Sequence, residues 1–462
     1  MNSIYNYPAE NSDNDFVVQP AEQIFLQRPP DDSNKLIKKG IWLYLLLLIF
    51  EGALRKWFLP GLATPLLIIR DPVALWVLVM ANKRGMLNLN SYILWMGGIA
   101  IAGTFTAIFL GHGNLLVALF GARILLLHFP LIFVIGKVFT YEDVIKMGKS
   151  IVLISIPMAV LVAMQFYSPQ SAWVNRGVGG DLKGAGFSGA LGFFRPPATF
   201  SFITGTVSYY SLAASFIIFF WLNRKGVNPL ILYGATAALL IVIPLSISRS
   251  LFFGVAVTLV FTAIAISRKP EYIGKMIFGG VIVLLVLSFL GSKSFFSTGT
   301  EAFTSRFESA NEQEGGVQGV LVDRFLGGMW GALTASSQQP FFGFGQGLGT
   351  NVGSMLTTGE ISFLIAEGEW GRVIGEMGPL MGLAIIFFRL KLSFTVALAS
   401  YRKLAKGNLL PWMLLSIVLI NVPQGQWAQP TSLGFSVLVC GLAIASLKGP
   451  SKRNLSTKSI LA

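Results

Sequence analysis

Long apolar segments alternate with polar connectors between residues 40 and 447. About twelve segments approach the ~20 apolar residues that an α-helix needs to cross a bilayer. They cover 40–58, 62–81, 91–110, 115–139, 149–167, 200–222, 229–247, 250–267, 273–291, 372–390, 409–422 and 431–447. The pattern predicts an all-α, polytopic integral membrane protein with about twelve transmembrane helices.

The polar ends and the two longest polar connectors divide the chain. Residues 1–34 are polar, acidic and proline-containing, which predicts a disordered cytoplasmic tail. Residues 35–447 form a single predicted transmembrane domain, in which 168–199 and 292–360 are long outer, periplasmic loops. Residues 448–462 are basic and predict a second cytoplasmic tail.

Charge orients the predicted spans. Alternate short connectors carry lysine or arginine, and such connectors stay in the cytoplasm. The chain is 53% hydrophobic and 12% charged, and its net charge of +14 is mostly lysine on the predicted inner side. We therefore expect a multi-pass membrane protein with both termini in the cytoplasm. We expect the protein to contact membrane lipid, and we do not expect it to bind nucleic acid.

The kind of positive charge differs between the two predicted sides. The outer connectors and span ends hold 3 Lys and 9 Arg, whereas the inner side holds 16 Lys and 7 Arg. Membrane topology does not distinguish lysine from arginine, but guanidinium binds phosphate and carboxylate with a rigid fork of donors. The outer arginines are Arg55, Arg70, Arg123, Arg176, Arg195, Arg249, Arg306, Arg324 and Arg372.

Five charges lie inside or at the ends of predicted spans. Glu51 and Arg55 share a helix face, Arg70 and Asp71 follow in the second span, and Arg123 lies in the fourth. One interpretation is an ion-pair cluster of the first four that holds helices together. The other is the floor of an outward-open polar cavity, with Arg123 as its least paired member. Both satisfy the requirement that charge in a membrane faces protein or water.

The stretch 322–336, which contains Arg324 and Trp330, predicts a short amphipathic helix on the membrane surface. Four short motifs follow one another on the predicted outer side. They are Arg195-Pro196-Pro197-Ala198-Thr199-Phe200, Ser246-Ile247-Ser248-Arg249, Arg324 with Trp330, Pro340 and Gly343-Phe344-Gly345, and Glu376-Met377-Gly378. Their order and placement resemble the O-antigen polymerase (Wzy) and O-antigen ligase superfamily of membrane glycosyltransferases, over roughly residues 40–447.

The resemblance implies a protein of the bacterial inner membrane that transfers a glycan from a polyprenyl-diphosphate donor to a sugar hydroxyl of a lipid-linked acceptor on the outer face. Fixed cationic donors would stabilise the charge of the leaving diphosphate. Arg195, Arg249 and Arg324 match the family's arginines and are the expected diphosphate ligands, followed by Arg123 and Arg306. Arg324 is also a candidate catalytic residue.

Two glutamates are candidates for the base that activates the acceptor hydroxyl. Glu367 and Glu369 lie at the predicted outer start of the tenth span, where a negative charge also suits a helix N-terminus. Related ligases have a His-Asn pair where this chain has Glu367-Gly368, which favours a polymerase. The predicted outer segments have no Asp-x-Asp motif, and the chain has only two histidines, His112 and His128, so we expect no metal and no cofactor.

Other functions remain as alternatives at this point. A ligase would transfer the glycan to another acceptor, and a transporter or lipid-linked-oligosaccharide flippase would carry it across the membrane without forming a bond. A different polyprenyl-phosphate glycosyltransferase, or a peptidoglycan polymerase-like enzyme, would depend on acidic residues in the first outer loop, which here is only Leu59-Pro60-Gly61. The expected partners of a polymerase are the polyprenyl-diphosphate-linked oligosaccharide, membrane lipid and a chain-length regulator protein.

Overall fold

The computed structural model describes residues 34–224, 226–268, 273–314, 327–360 and 362–449. The predicted disordered tail 1–34 lies outside them except for Asn34, and so does the basic tail after Gly449. Arg324 also lies outside the described residues.

The described chain is helical apart from two strands of two residues each, so the all-α prediction is confirmed. The helices are α1 Lys35–Ala53, α2 Ala63–Leu66, α3 Arg70–Lys83, α4 Ser91–Phe109, α5 Leu115–Arg123, α6 Phe129–Val138, α7 Tyr141–Tyr167, α8 Ile203–Leu222, α9 Pro229–Leu245, α10 Arg249–Ser267, α11 Ile273–Gly291, α12 Ser294–Glu314, α13 Gly327–Thr334, α14 Asn351–Thr358, α15 Glu369–Ala405, α16 Leu410–Gln424 and α17 Pro430–Ser446. The strands are β1 Phe187–Ser188 and β2 Phe194–Arg195, which pair antiparallel. Short π-helical turns, Leu54–Phe58 and Ile124–His128, extend α1 and join α5 to α6.

Eight helices in the described part of the chain are long and apolar enough to cross a membrane. They are Pro60–Lys83, Ser91–Phe109, Leu115–Val138, Tyr141–Tyr167, Ile203–Leu222, Arg249–Ser267, Ile273–Gly291 and Glu369–Ala405. The remaining predicted spans also fall on helices: on α1, and on the shorter α9, α16 and α17. Twelve crossings therefore stay a prediction.

Connectors that were assigned to the cytoplasm meet at one end of the bundle. Lys38 forms an ion pair with Asp143 at 2.8 Å. The Lys448 ammonium donates to the carbonyls of Lys137 (2.6 Å) and Phe139 (2.9 Å). Burial lowers the pKa of Lys448 to about 7.

Connectors that were assigned to the outer side meet at the other end. The Lys56 ammonium donates to the Ala198 carbonyl at 2.5 Å, and the Trp370 indole donates to the Pro423 carbonyl at 2.9 Å. His112 contacts the Gln346 carbonyl at 3.1 Å. These contacts follow the alternation that the charge pattern predicts. We call this the outer end of the bundle.

The core of the bundle lies around α17, which is buried on nearly all sides. Glycines bring it close to α6: a Cβ on Gly136 would lie 2.6 Å from Ile444, and one on Gly441 would lie 2.7 Å from Ile135. Small residues allow this close backbone approach between apolar helices.

The late span differs from its predicted bounds of 372–390. Helix α15 covers 37 residues, about 55 Å at 1.5 Å per residue, which exceeds the ~30 Å core of a bilayer. It is broken at Gly378, where φ is 75° and ψ is 170°, just before Pro379. The part after the break continues to Ala405. The predicted span ends earlier, because the hydropathy pattern stops at the charges near residue 390.

The second predicted outer loop contains helices that the sequence pattern did not reveal. Helix α12, Ser294–Glu314, occupies its beginning. The predicted amphipathic helix 322–336 is represented by α13, Gly327–Thr334, while residues 322–326 lie outside the described residues.

Candidate functional site

Three groups of charged residues lie toward the outer end. The outer arginine surface consists of Arg195, Arg249 and Arg306. The Asp71 cluster consists of Tyr44, Glu51, Arg55, Arg70, Asp71, Arg123 and His128. The Glu369 cluster consists of Glu369, Arg372, Glu376 and Arg389.

Arg195 lies on the hairpin formed by β1 and β2. Its Nε donates to the Ser188 carbonyl at 3.0 Å, and its guanidinium lies 4.9 Å from the centre of the Phe187 ring. Phe187 is also its direct neighbour across the two strands. The hairpin therefore presents Arg195 in one orientation from an otherwise irregular loop.

Arg249 is the first residue of α10, after the N-cap Ser248. The preceding Ile247 is buried and has a φ of 45°, a strained value for a β-branched residue. Its side chain reaches the Arg195 hairpin, since a Cβ on Gly189 would lie 2.6 Å from Ile247 Cδ1. The strained turn thus packs the Arg249 turn against the Arg195 hairpin.

Arg306 lies on α12, which covers the outer part of α10. Phe303 and Phe307 flank Arg306 in sequence, and their rings lie 6.0 Å and 5.7 Å from the ring of Phe252. Arg195, Arg249 and Arg306 are therefore carried by three separate segments that meet around the N-terminus of α10. A helix N-terminus adds a partial positive charge to such a surface.

Arg123 is not the least paired charge, and that expectation was wrong. Its Nη1 donates to both oxygens of Asp71, at 2.8 Å and 3.0 Å. The ion-pair interpretation fits Glu51, Arg55 and Arg70, whereas the fourth member, Asp71, pairs with Arg123 instead. Glu51 accepts from Arg70 at 3.0 Å and from Arg55 at 3.4 Å.

Two members of the Asp71 cluster, Tyr44 and His128, were not predicted from the sequence. His128, only 1% exposed, contacts Asp71 Oδ1 with Nε2 at 2.8 Å and Tyr44 Oη with Nδ1 at 3.0 Å. His128 is the last residue of the π-helical turn, a type of turn frequent at functional sites. A histidine five residues after an arginine, inside an apolar span, was the signal that could have identified it.

Glu369 is the centre of a buried ion-pair network. Only 4% exposed, it accepts two bonds from Arg372, both at 2.9 Å, and one from Arg389 at 2.6 Å. Arg372 also donates to Glu376 at 2.7 Å. Arg389 falls at the far end of the predicted span 372–390, but the structure brings it back to the outer end, where it donates to the carbonyls of Val422 and Gly425.

The break in α15 is filled by a loop from the second outer segment. The backbone N–H groups of Phe344 and Gly345 donate to the carbonyls of Gly375 (2.8 Å) and Glu376 (3.0 Å). Glu376 Oε1 accepts from the Gly349 N–H at 2.8 Å. A Cβ on Gly343 would lie 2.4 Å from the Glu376 carbonyl, so only glycine fits there.

The two candidate bases therefore differ in their surroundings. Glu367 is exposed on the segment before α15, and its carbonyl accepts from Gln426 at 3.0 Å. Glu369 lies beside a cavity of about 20 Å³, enough for about one water molecule. A sugar hydroxyl of a large acceptor can approach the first and not the second.

Two comparisons with known proteins give no relative. No protein-family model matches the chain, and no curated protein matches it. Within the described residues, no group of three His, Cys, Asp or Glu side chains is placed to hold a metal ion.

Proposed function

We propose that the protein is a polysaccharide polymerase of the inner membrane. It transfers a glycan from a polyprenyl-diphosphate donor to a sugar hydroxyl of a lipid-linked acceptor at the outer end, without a metal. The observation that carries this proposal is that the three segments carrying Arg195, Arg249 and Arg306 pack together around the N-terminus of α10.

The arginine surface suits a leaving diphosphate. Negative charge grows on the diphosphate as the glycosidic bond breaks, and donors fixed in advance lower the barrier. Arg195 and Arg249 are fixed by the packed hairpin and turn, and α12 is fixed by its aromatic contacts with α10. Arg324 completes the proposed set from the same outer segment. Arg123, held by Asp71, plays a secondary part.

Glu367 is the proposed base for the acceptor hydroxyl. It is exposed at the outer end, whereas Glu369 is enclosed by two guanidinium groups. In this proposal the Glu369 cluster holds the broken helix and the loop docked on it, so it supports the site without touching the substrate.

Conversion of Arg249 to lysine tests the arginine mechanism. Arg249→Lys keeps the charge and loses the fork, so we expect polymer yield to fall by about 10²-fold, as when one transition-state donor is lost. The assay complements a deletion strain and separates surface polysaccharide on a gel, with protein level measured in the same membranes. Arg224→Lys, an exposed arginine at the other end, is the matched control and should give wild-type polymer.

The gel pattern of the deletion strain separates the alternatives. Single-unit glycans on the surface support a polymerase. Polymer that lacks its anchor indicates a ligase, and lipid-linked units trapped inside indicate a flippase. Wild-type polymer from Arg249→Lys and Arg324→Lys would contradict the arginine mechanism, and unchanged activity in Glu367→Gln would contradict the base.

A further inference from the structure

We propose that the Asp71 cluster is a proton-linked anion site. A proton on His128 releases Arg123 from Asp71, and the released guanidinium binds a phosphate group. The inference deepens the proposed function and rests on it only in taking phosphate as the anion. The cluster is separate from the outer arginine surface.

Hydrogen-bond chemistry fixes the protons of the cluster. An ionised carboxylate only accepts, so the 2.8 Å contact with Asp71 Oδ1 places a hydrogen on His128 Nε2. In the neutral ring Nδ1 is then an acceptor, and the Tyr44 hydroxyl donates to it at 3.0 Å. Each ring nitrogen of neutral His128 therefore has a hydrogen-bond partner inside the bundle.

A second proton on His128 disturbs this arrangement at two points. It lies on Nδ1, so the buried Tyr44 hydroxyl must turn from donor to acceptor and place its own hydrogen elsewhere. The ring also becomes a cation, with Nε2 only 3.4 Å from Arg123 Nη1. Protonated His128 and Arg123 then compete for the Asp71 carboxylate. Arg123 has the longer side chain and can move away from it.

The charge of the cluster favours an incoming anion. Arg55, Arg70 and Arg123 outnumber Glu51 and Asp71 by one, and a proton on His128 raises the excess to two. The elements packed against the His128 turn are α3 to α6 and α17. They add no further carboxylate; their other titratable side chains are Lys83, Tyr92, Lys137 and Cys440.

Arg123 is mostly buried, but it lies next to the surface and has donors to offer. Its side chain is 10% exposed and that of Asp71 is 17% exposed, so the pair reaches the surface of the bundle. Among the described residues its Nε has no hydrogen-bond partner, although it is buried. Release from Asp71 adds Nη1 to the available donors, which together form the fork that suits a phosphate group.

Thermodynamic linkage then couples proton binding by His128 to anion binding by the Asp71 cluster. If a proton on His128 strengthens anion binding, the anion must strengthen proton binding by the same factor. We expect a factor of about ten, within the usual range for coupled sites.

The test uses the full chain in phosphatidylcholine nanodiscs with labelled histidine. The chain has only two histidines, so NMR gives two ring signals, assigned with His112→Gln and His128→Gln. We expect inorganic pyrophosphate to raise the titration midpoint of His128 by about one pH unit and to leave His112 unchanged. Pyrophosphate should bind more tightly at about pH 5.5 than at about pH 8, and its affinity should rise further as the pH falls and His128 gains its proton.

Variants and lipids decide the remaining points. His128→Gln should bind pyrophosphate with little pH dependence, and the control His112→Gln should retain it. Phosphatidylglycerol in the nanodisc should shift His128 without pyrophosphate if a lipid headgroup is the natural anion, and should have no effect if a free phosphate is.

Equal pyrophosphate affinity at the two pH values would overturn the inference, as would an unchanged His128 signal in the wild-type protein. The second measurement needs no variant, so it decides even if His128→Gln fails to fold. Either result would leave the proposed function standing, because polymer synthesis depends on the outer arginine surface. Loss of polymer in Arg249→Lys with His128 coupling intact would separate the two sites.

Discussion

Conversion of Glu369 to glutamine separates a structural carboxylate from a catalytic one. The side chain keeps its size and loses its charge. Glu369 accepts three charge-assisted bonds from Arg372 and Arg389, at 2.6–2.9 Å, and is almost completely buried. After the change, Glu376 alone must balance two buried guanidinium groups.

The expected destabilisation is about 4 kcal/mol, because removing one partner of a buried ion pair costs about 3–5 kcal/mol. With about 2 cal/mol/K of unfolding entropy per residue over ~400 residues, this lowers the midpoint of thermal unfolding by about 5 °C. The assay is thermal unfolding of the purified protein in detergent, followed by tryptophan fluorescence. The control is Glu367→Gln, an exposed change that should alter stability by less than about 0.5 kcal/mol.

The two variants should both lose activity but should differ in stability. Glu369→Gln should lose both, whereas Glu367→Gln should lose polymer synthesis alone. Combining Glu369→Gln with Arg389→Met should cost less than the sum of the single changes, because the second change removes the unpaired cation. A wild-type midpoint for Glu369→Gln would refute the role given to the network.

Two further predictions concern the broken helix and the topology. Gly378→Ala should lower stability by about 3 kcal/mol, because its Cβ would lie 2.0 Å from the Phe341 carbonyl at a φ of 75°. The control Gly279→Ala has open space around its Cβ and should be neutral or slightly stabilising in the same unfolding assay. Arg306→Cys should react with an impermeant maleimide added to intact cells, and Arg224→Cys only after lysis. Labelling in the reverse order would overturn the assignment of the outer end.

The helical segments were predictable because hydropathy and length act locally. A run of about 20 apolar residues has few alternatives in a membrane, and each predicted span falls on a helix. The segment near Arg389 was misjudged for the same reason. The hydropathy pattern ends at the charge of Arg389. The sequence pattern does not reveal the ion pair with Glu369 that allows this charge inside the bundle.

Partners across the bundle could not be predicted. Asp71 and Arg123 are 52 residues apart, and Tyr44 and His128 are 84 residues apart. Spacing within one helix reveals pairs three or four residues apart, which is how Glu51 and Arg55 were found. The Arg195 hairpin and α12 were missed because short strands and a polar helix leave little hydropathy signal.

The loop docked in the break of α15 changes how two of the motifs are understood. Gly343-Phe344-Gly345 and Glu376-Met377-Gly378 are the two halves of one packed unit, since each supplies the backbone hydrogen-bonding groups that the other lacks. A chimera that imports one half from another protein would leave carbonyls unpaired inside the bundle, whereas importing both would transfer a complete part. In this chain the two motifs therefore record how the chain is assembled.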